Sequence, residues 1–116
     1  MQLLSRLFQS APAGYESIRP QEYQQRFVQG KEKHLLLDVR TSEEVRGGKI
    51  PGAKHIALQV LEQRLNELPK DQPIVIYCRS GNRSRTAADI LVHAGFTQLY
   101  DLGGIMQWQM AGLPVK

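Results

Sequence analysis

The sequence predicts an α/β domain of three layers, with a mostly parallel central sheet and helices on both faces. Two observations carry this. Residues 34–39, through Leu35-Leu36-Leu37, and residues 74–77 carry short runs of consecutive apolar positions, as in strands covered on both faces. They alternate along the chain with segments of helical spacing, the order that builds parallel crossovers. A length of 116 residues suits one such domain.

The elements follow in order. Leu3, Leu4, Leu7 and Phe8 fall at helical spacing before Ala11-Pro12-Ala13-Gly14 breaks the pattern. Residues 1–13 therefore read as an amphipathic N-terminal extension and 14–116 as the domain. The extension either docks on its own domain or anchors a partner, so a homodimer stays open. Arg6 interrupts its apolar residues, which speaks against a signal peptide or a spanning helix.

Glu16 to Ile18 make a short strand, and Pro20 opens a helix through Val28 that Gly30 ends. The strand at 34–39 finishes in Asp38 and Arg40, at the carboxyl end where ligands gather in open α/β sheets. Thr41 or Ser42, followed by Glu43 and Glu44, starts a short helix that Gly47-Gly48 stops. After the turn at Pro51-Gly52 comes a brief apolar segment at His55-Ile56. Leu58, Leu61, Leu65 and Leu68 then mark one helix face up to Pro69. The second buried strand leads into a glycine-containing loop at 78–82 and a helix over 84–94, stopped by Gly95. A last strand at 99–102 turns through Gly103-Gly104 into a helix over 105–110.

Composition narrows the chemistry. One cysteine excludes an internal disulfide and a Cys-rich zinc site. His34, His55 and His93 are scattered and read as structural or solvent-facing, so neither a metal nor a cofactor is expected. The net charge of +4 mildly attracts anions, but Lys and Arg are dispersed without an aromatic-basic motif, so nucleic acid is not an expected partner. A free thiol is at home in a reducing cytoplasm.

The informative stretch is Cys78-Arg79-Ser80-Gly81-Asn82-Arg83-Ser84, which sets the only thiol between a buried strand and a helix start. Unpaired N–H groups and the helix dipole at that junction favour thiolate over thiol, and Arg79 and Arg83 add whole charges. Gly81, and less readily Asn82, tolerates the positive φ of a loop whose N–H groups converge on one point. Ser84 and Ser80 are candidates to donate hydroxyl hydrogen bonds to a bound anion or to cap the helix. The bland alternative is a buried strand-end cysteine beside solvated arginines.

This stretch resembles the active-site loop of the rhodanese family. Leu36-Leu37-Asp38-Val39-Arg40-Thr41-Ser42-Glu43-Glu44 with Gly48-Lys49-Ile50-Pro51-Gly52-Ala53 is similar to the family's first signature. Leu102-Gly103-Gly104-Ile105, Trp108 and Ala111-Gly112-Leu113-Pro114-Val115 resemble its C-terminal one. Val45 departs from a usual aromatic and Lys49 from a frequent histidine. The resemblance implies a sulfurtransferase. Cys78 attacks the outer sulfur of a small anionic donor such as thiosulfate, and the resulting persulfide passes to cyanide, a thiol or a thioredoxin-like acceptor. Arg79 and Arg83 then hold donor and leaving group, while Asp38 and Arg40 brace the site. Two rivals remain. Phosphatase or arsenate-reductase relatives need five residues between cysteine and arginine, whereas four separate Cys78 from Arg83. A binding module that only carries persulfide shares the first half-reaction.

Overall fold

A computed structural model describes residues 13–116; residues 1–12, and with them the expected amphipathic turns, lie outside the described residues. Five strands form one sheet in the order β1-β5-β4-β2-β3, and every neighbouring pair is parallel. They are β1 (Glu16–Ser17), β2 (Leu35–Asp38), β3 (Lys54–His55), β4 (Ile74–Cys78) and β5 (Leu99–Gly104). All five residues of the central β4 are buried, which explains its unbroken apolar run.

The pleat sorts side chains between two cores. Leu37, Val39, Ile74, Ile76 and Cys78 share one face, where Leu61, Ala87, Ala88 and Leu91 cover them. Leu36, Val75 and Tyr77 take the other, under Tyr23, Phe27, Ile105 and Trp108. Helix α3 (Asn82–His93) buries Ser84, Ala87, Ala88 and Leu91, one stripe at helical spacing. The small side chains of that stripe let it lie close to the sheet. Opposite, α1 (Pro20–Tyr23) begins with proline in its first turn and continues as a π-helical stretch (Gln24–Gln29). Gly30 N–H closes that stretch on the Gln25 carbonyl at 2.9 Å. The last helix, α4 (Ile105–Met110), is tied to the C-terminal segment by Trp108 Nε1, which donates to the Pro114 carbonyl at 2.8 Å.

Two boundaries differ from expectation. Residues 58–67 form a 3₁₀ helix (Leu58–Glu67), broken at Arg64 (φ −123°, ψ 20°), where an α-helix was expected. Its first residue lacks a side-chain cap. Leu68 is extended, as the residue before a proline prefers, so the leucine spacing never settles into continuous α turns. Helix α3 starts at Asn82 and not at Ser84, because Gly81, with φ 114°, already stands at the N-cap. Among the described residues no helix is long and apolar enough to cross a membrane.

The connection after β2 leads outward to β3, and that after β4 leads the other way to β5. The carboxyl ends of these adjacent strands thus flank a crevice where loops diverge.

Candidate active site

From the β2 side the crevice receives a buried ion pair. Arg40 Nη2 donates to Asp38 Oδ2 at 2.7 Å, and Nε donates to both carboxylate oxygens at 3.0 and 3.1 Å. The Arg40 backbone N–H adds a bond to Oδ1 at 2.9 Å. The guanidinium reaches on to the carbonyl of Gly48 at 2.8 Å, so one cation fastens the strand end to the turn before β3. Burial works against the Arg40 charge, yet the Asp38 hydrogen bonds and charge prevail and raise its pKa. Register places Asp38 beside Tyr77, on the sheet face opposite Cys78. Burial, then the Asp38 carboxylate, pushes the Tyr77 phenol up from its ordinary value, while its oxygen accepts from Ile50 N–H at 3.1 Å.

Helix α2 (Ser42–Arg46) carries the next layer. Thr41 is its N-cap: the hydroxyl oxygen accepts from Glu44 N–H at 3.2 Å, and Glu44 Oε1 accepts from Thr41 N–H at 2.9 Å, a reciprocal capping box. Glu44 then reaches across the crevice. Its Oε1 accepts from Arg83 Nη1 at 2.7 Å and its Oε2 from Arg83 Nη2 at 2.9 Å, a bidentate fork. The Arg83 bonds, aided by those from Thr41 and opposed by burial, hold the Glu44 carboxyl down at about 2. Arg83 is raised in turn, chiefly by Glu44, with the charge of Cys78 contributing.

The β4 side supplies the thiol. Cys78 ends the strand, and the chain curls back so that Gly81 N–H donates to Cys78 Sγ at 3.0 Å. Gly81 manages this with φ 114°, a conformation that side chains other than glycine's rarely adopt. Ser84, fully buried, turns its hydroxyl to the Gly81 carbonyl at 3.0 Å, so it stiffens the loop from beneath. Arg79, Ser80 and Asn82 are exposed, and Asn82 Oδ1 accepts from Arg85 at 2.7 Å.

The sulfur itself is covered. Cys78 is 1% exposed, and its Sγ lies against the backbone of the loop that follows it, within reach of the Gly81 N–H. The arrangement expected from the sequence was a thiolate open to an incoming anion. The arrangement found is a sulfur held under its own loop, with one expected anion-binding arginine, Arg83, already occupied by Glu44.

Two contributions went unread in the sequence. Glu44 counted only as a first-turn acid; the Thr41-x-x-Glu44 spacing signalled the capping box, but nothing local signalled Arg83. Gly104 counted only as a turn residue. A side chain there would overlap the Arg79 carbonyl oxygen and come within 2.7 Å of Ser80 Cα, so glycine lets β5 pass beneath the loop. A register shift between Ile76 and Tyr77 brings Gly103 and Gly104 opposite Tyr77 and Cys78.

The histidines all have local partners. His34 bonds Tyr23 and the Glu32 carbonyl, His55 the Arg40 carbonyl and His93 the Asp89 carbonyl. Among the described residues no three of His, Cys, Asp and Glu cluster as metal ligands. Lys49, where histidine is frequent in the resembling family, donates to the Ala53 carbonyl at 3.0 Å.

Comparison with known proteins agrees with the fold. The sequence profile described as a Rhodanese-like domain matches residues 19–111. A protein named Sulfurtransferase from Allochromatium vinosum is 43% identical over 82 residues, covering 70% of this chain and 77% of that protein. A putative sulfurtransferase, YtwF, from Bacillus subtilis is 38% identical, covering 71% of this chain and 80% of its own. The crystal structure of a rhodanese-related protein from Thermoplasma volcanium superposes with a TM-score of 0.77 at 29% identity, covering 86% of this chain and 96% of that one.

Proposed function

The chain belongs to the rhodanese-like domain family, and from that premise we propose that it moves sulfane sulfur through a persulfide on Cys78. Relatives named as sulfurtransferases support sulfur transfer in general. The observation that carries the assignment to this residue is the Gly81 N–H placed 3.0 Å from Cys78 Sγ at the start of α3. An amide donor and a helix N-terminus both stabilise negative charge on sulfur, whether thiolate or persulfide.

With thiosulfate as donor, the Cys78 thiolate attacks the outer sulfur, the S–S bond breaks, and sulfite leaves with the bonding pair. The persulfide then yields its terminal sulfur to cyanide or to a small or protein thiol, thioredoxin-like acceptors included. Such a thiol chemistry fits a reducing cytoplasm. Burial of the sulfur sets two conditions: residues 79–81 open for the donor, and the closed loop shields the persulfide from water. That shielding also favours a second reading, a carrier that discharges only to a docked protein.

Intact mass spectrometry tests the central step. After exposure to thiosulfate or an organic persulfide, the wild-type chain gains one sulfur, while Cys78→Ser, equally folded by circular dichroism, gains none. Sulfur uptake by the serine variant, or none by the wild type from either donor, defeats the proposal. Turnover with thiosulfate and cyanide together separates the readings, because an enzyme of this type releases many equivalents of thiocyanate per chain and a dedicated carrier releases at most the one sulfur it holds.

A further inference from the structure

The charges around the crevice do not add as the loop sequence implies. Cys78 is followed by two arginines in its loop and first helical turn, which suggests a doubly positive mouth for a doubly negative donor. The structure divides that charge. Arg79 is exposed, whereas Arg83 is engaged at both terminal nitrogens by both oxygens of Glu44, at 2.7 and 2.9 Å. Glu44 is itself fixed, because Oε1 also accepts from the Thr41 N–H and hydroxyl at 2.9 and 3.1 Å. Arg40 adds nothing, being consumed by Asp38 on the other face, and Arg85 leans on Asn82. Of the two arginines that follow the sulfur, Arg79 alone is left without a carboxylate partner among the described residues, and the Glu44–Arg83 pair is neutral as a unit.

On the sulfur-transfer reading above, we infer that Glu44 is a specificity-determining positioning residue: by occupying Arg83 it biases Cys78 towards sulfane donors of low charge, organic persulfides, over dianionic thiosulfate. A dianion entering a partly enclosed crevice gives up hydration that only matched cations replace, and half of that match is spent inside the protein. A persulfide R–S–SH makes no such demand. The Cys78 thiolate attacks its terminal sulfur, the S–S bond breaks, R–S⁻ leaves with the bonding pair, and the proton stays on the new Cys78 persulfide.

The test measures the rate of sulfur loading on Cys78 by intact mass, with thiosulfate and with the persulfide of 2-mercaptoethanol, over a range of salt. Glu44→Gln frees the Arg83 charge while keeping a group that can bond Thr41. The preference is expected to swing towards thiosulfate by about fivefold, the scale on which a partly exposed ion pair acts. The swing should come through KM for thiosulfate and weaken as salt is added. An unchanged preference, or equal loss with both donors, overturns the inference and leaves Glu44 a purely structural residue. Should the variant fold poorly, the wild type still decides: its thiosulfate loading should respond weakly to salt, and a steep decline overturns the idea. Loading from neither donor overturns the sulfur-transfer reading itself, whereas efficient loading with an unchanged preference removes only the role of Glu44.

Discussion

Two arginine–carboxylate pairs stand at the carboxyl ends of adjacent strands, and they differ in almost everything but chemistry. Asp38–Arg40 is local in sequence and almost fully buried, with side chains 0% and 5% exposed. Glu44–Arg83 spans 39 positions and stays 26% and 30% exposed. The first sits on the sheet face opposite the thiol; the second ties α2 to the first turn of α3, just after the loop that carries the thiol. Burial makes the first pair an architectural fixture, since a charge without its partner there has no water to turn to. Exposure makes the second adjustable, because water can solvate either partner when the other is removed.

Breaking the buried pair should have the largest effect. Asp38→Asn leaves the Arg40 charge uncompensated and should lower stability by about 3–5 kcal/mol, measured by urea unfolding. A loss under 1 kcal/mol would mean that the Arg40 bond to the Gly48 carbonyl carries the brace alone. A second disruption addresses the reactive side without touching a charge. Gly104→Ala forces the Arg79–Ser80 backbone away from β5 and should cost about 1–3 kcal/mol, as overpacking does. It should also speed alkylation of Cys78 by iodoacetamide, because the loop that covers the sulfur loses its seat. Slow, wild-type alkylation in a destabilised Gly104→Ala protein would show that the loop is held from elsewhere.

The smallest effect is a pH dependence that belongs to the exposed pair. The Glu44 carboxyl sits at about 2 in the folded chain, below its ordinary 4.5. Its contribution is therefore complete above about pH 5 and fades as pH falls from there towards 2. Comparing wild type with Glu44→Gln across that window, the stability difference should be constant near neutrality and shrink on acidification. A difference that grows in acid would contradict the pairing. Replacing Ser84 by alanine should fall in the same small range, about 1 kcal/mol, through loss of its bond to the Gly81 carbonyl.

Much of the architecture was legible because it rests on local rules. The apolar runs Ile74–Cys78 and Leu35-Leu36-Leu37 have the length and composition of strands covered on both faces, and Pro20, Thr41 and Gly95 punctuate helices by backbone chemistry. Where local signals were mixed, the boundaries moved. Asn82 and Arg83 read as loop because they are polar, yet Gly81 starts the helix ahead of them. The leucines at 58, 61, 65 and 68 promised an α-helix, but a kink at Arg64 and a proline after Leu68 tightened the segment to 3₁₀.

The amino-acid order alone determined the fold class, the family resemblance and the singular position of Cys78, since each depends on neighbours a few residues apart. Tertiary structure alone decided that the sulfur is covered, that Asp38 lies on the opposite face and that Glu44 claims Arg83. The pleat flips sides at every residue, and helices from distant parts of the chain meet only once the sheet has brought their starts together. Charge at a site is a property of that meeting, because an arginine's value to a donor depends on which carboxylate reaches it first.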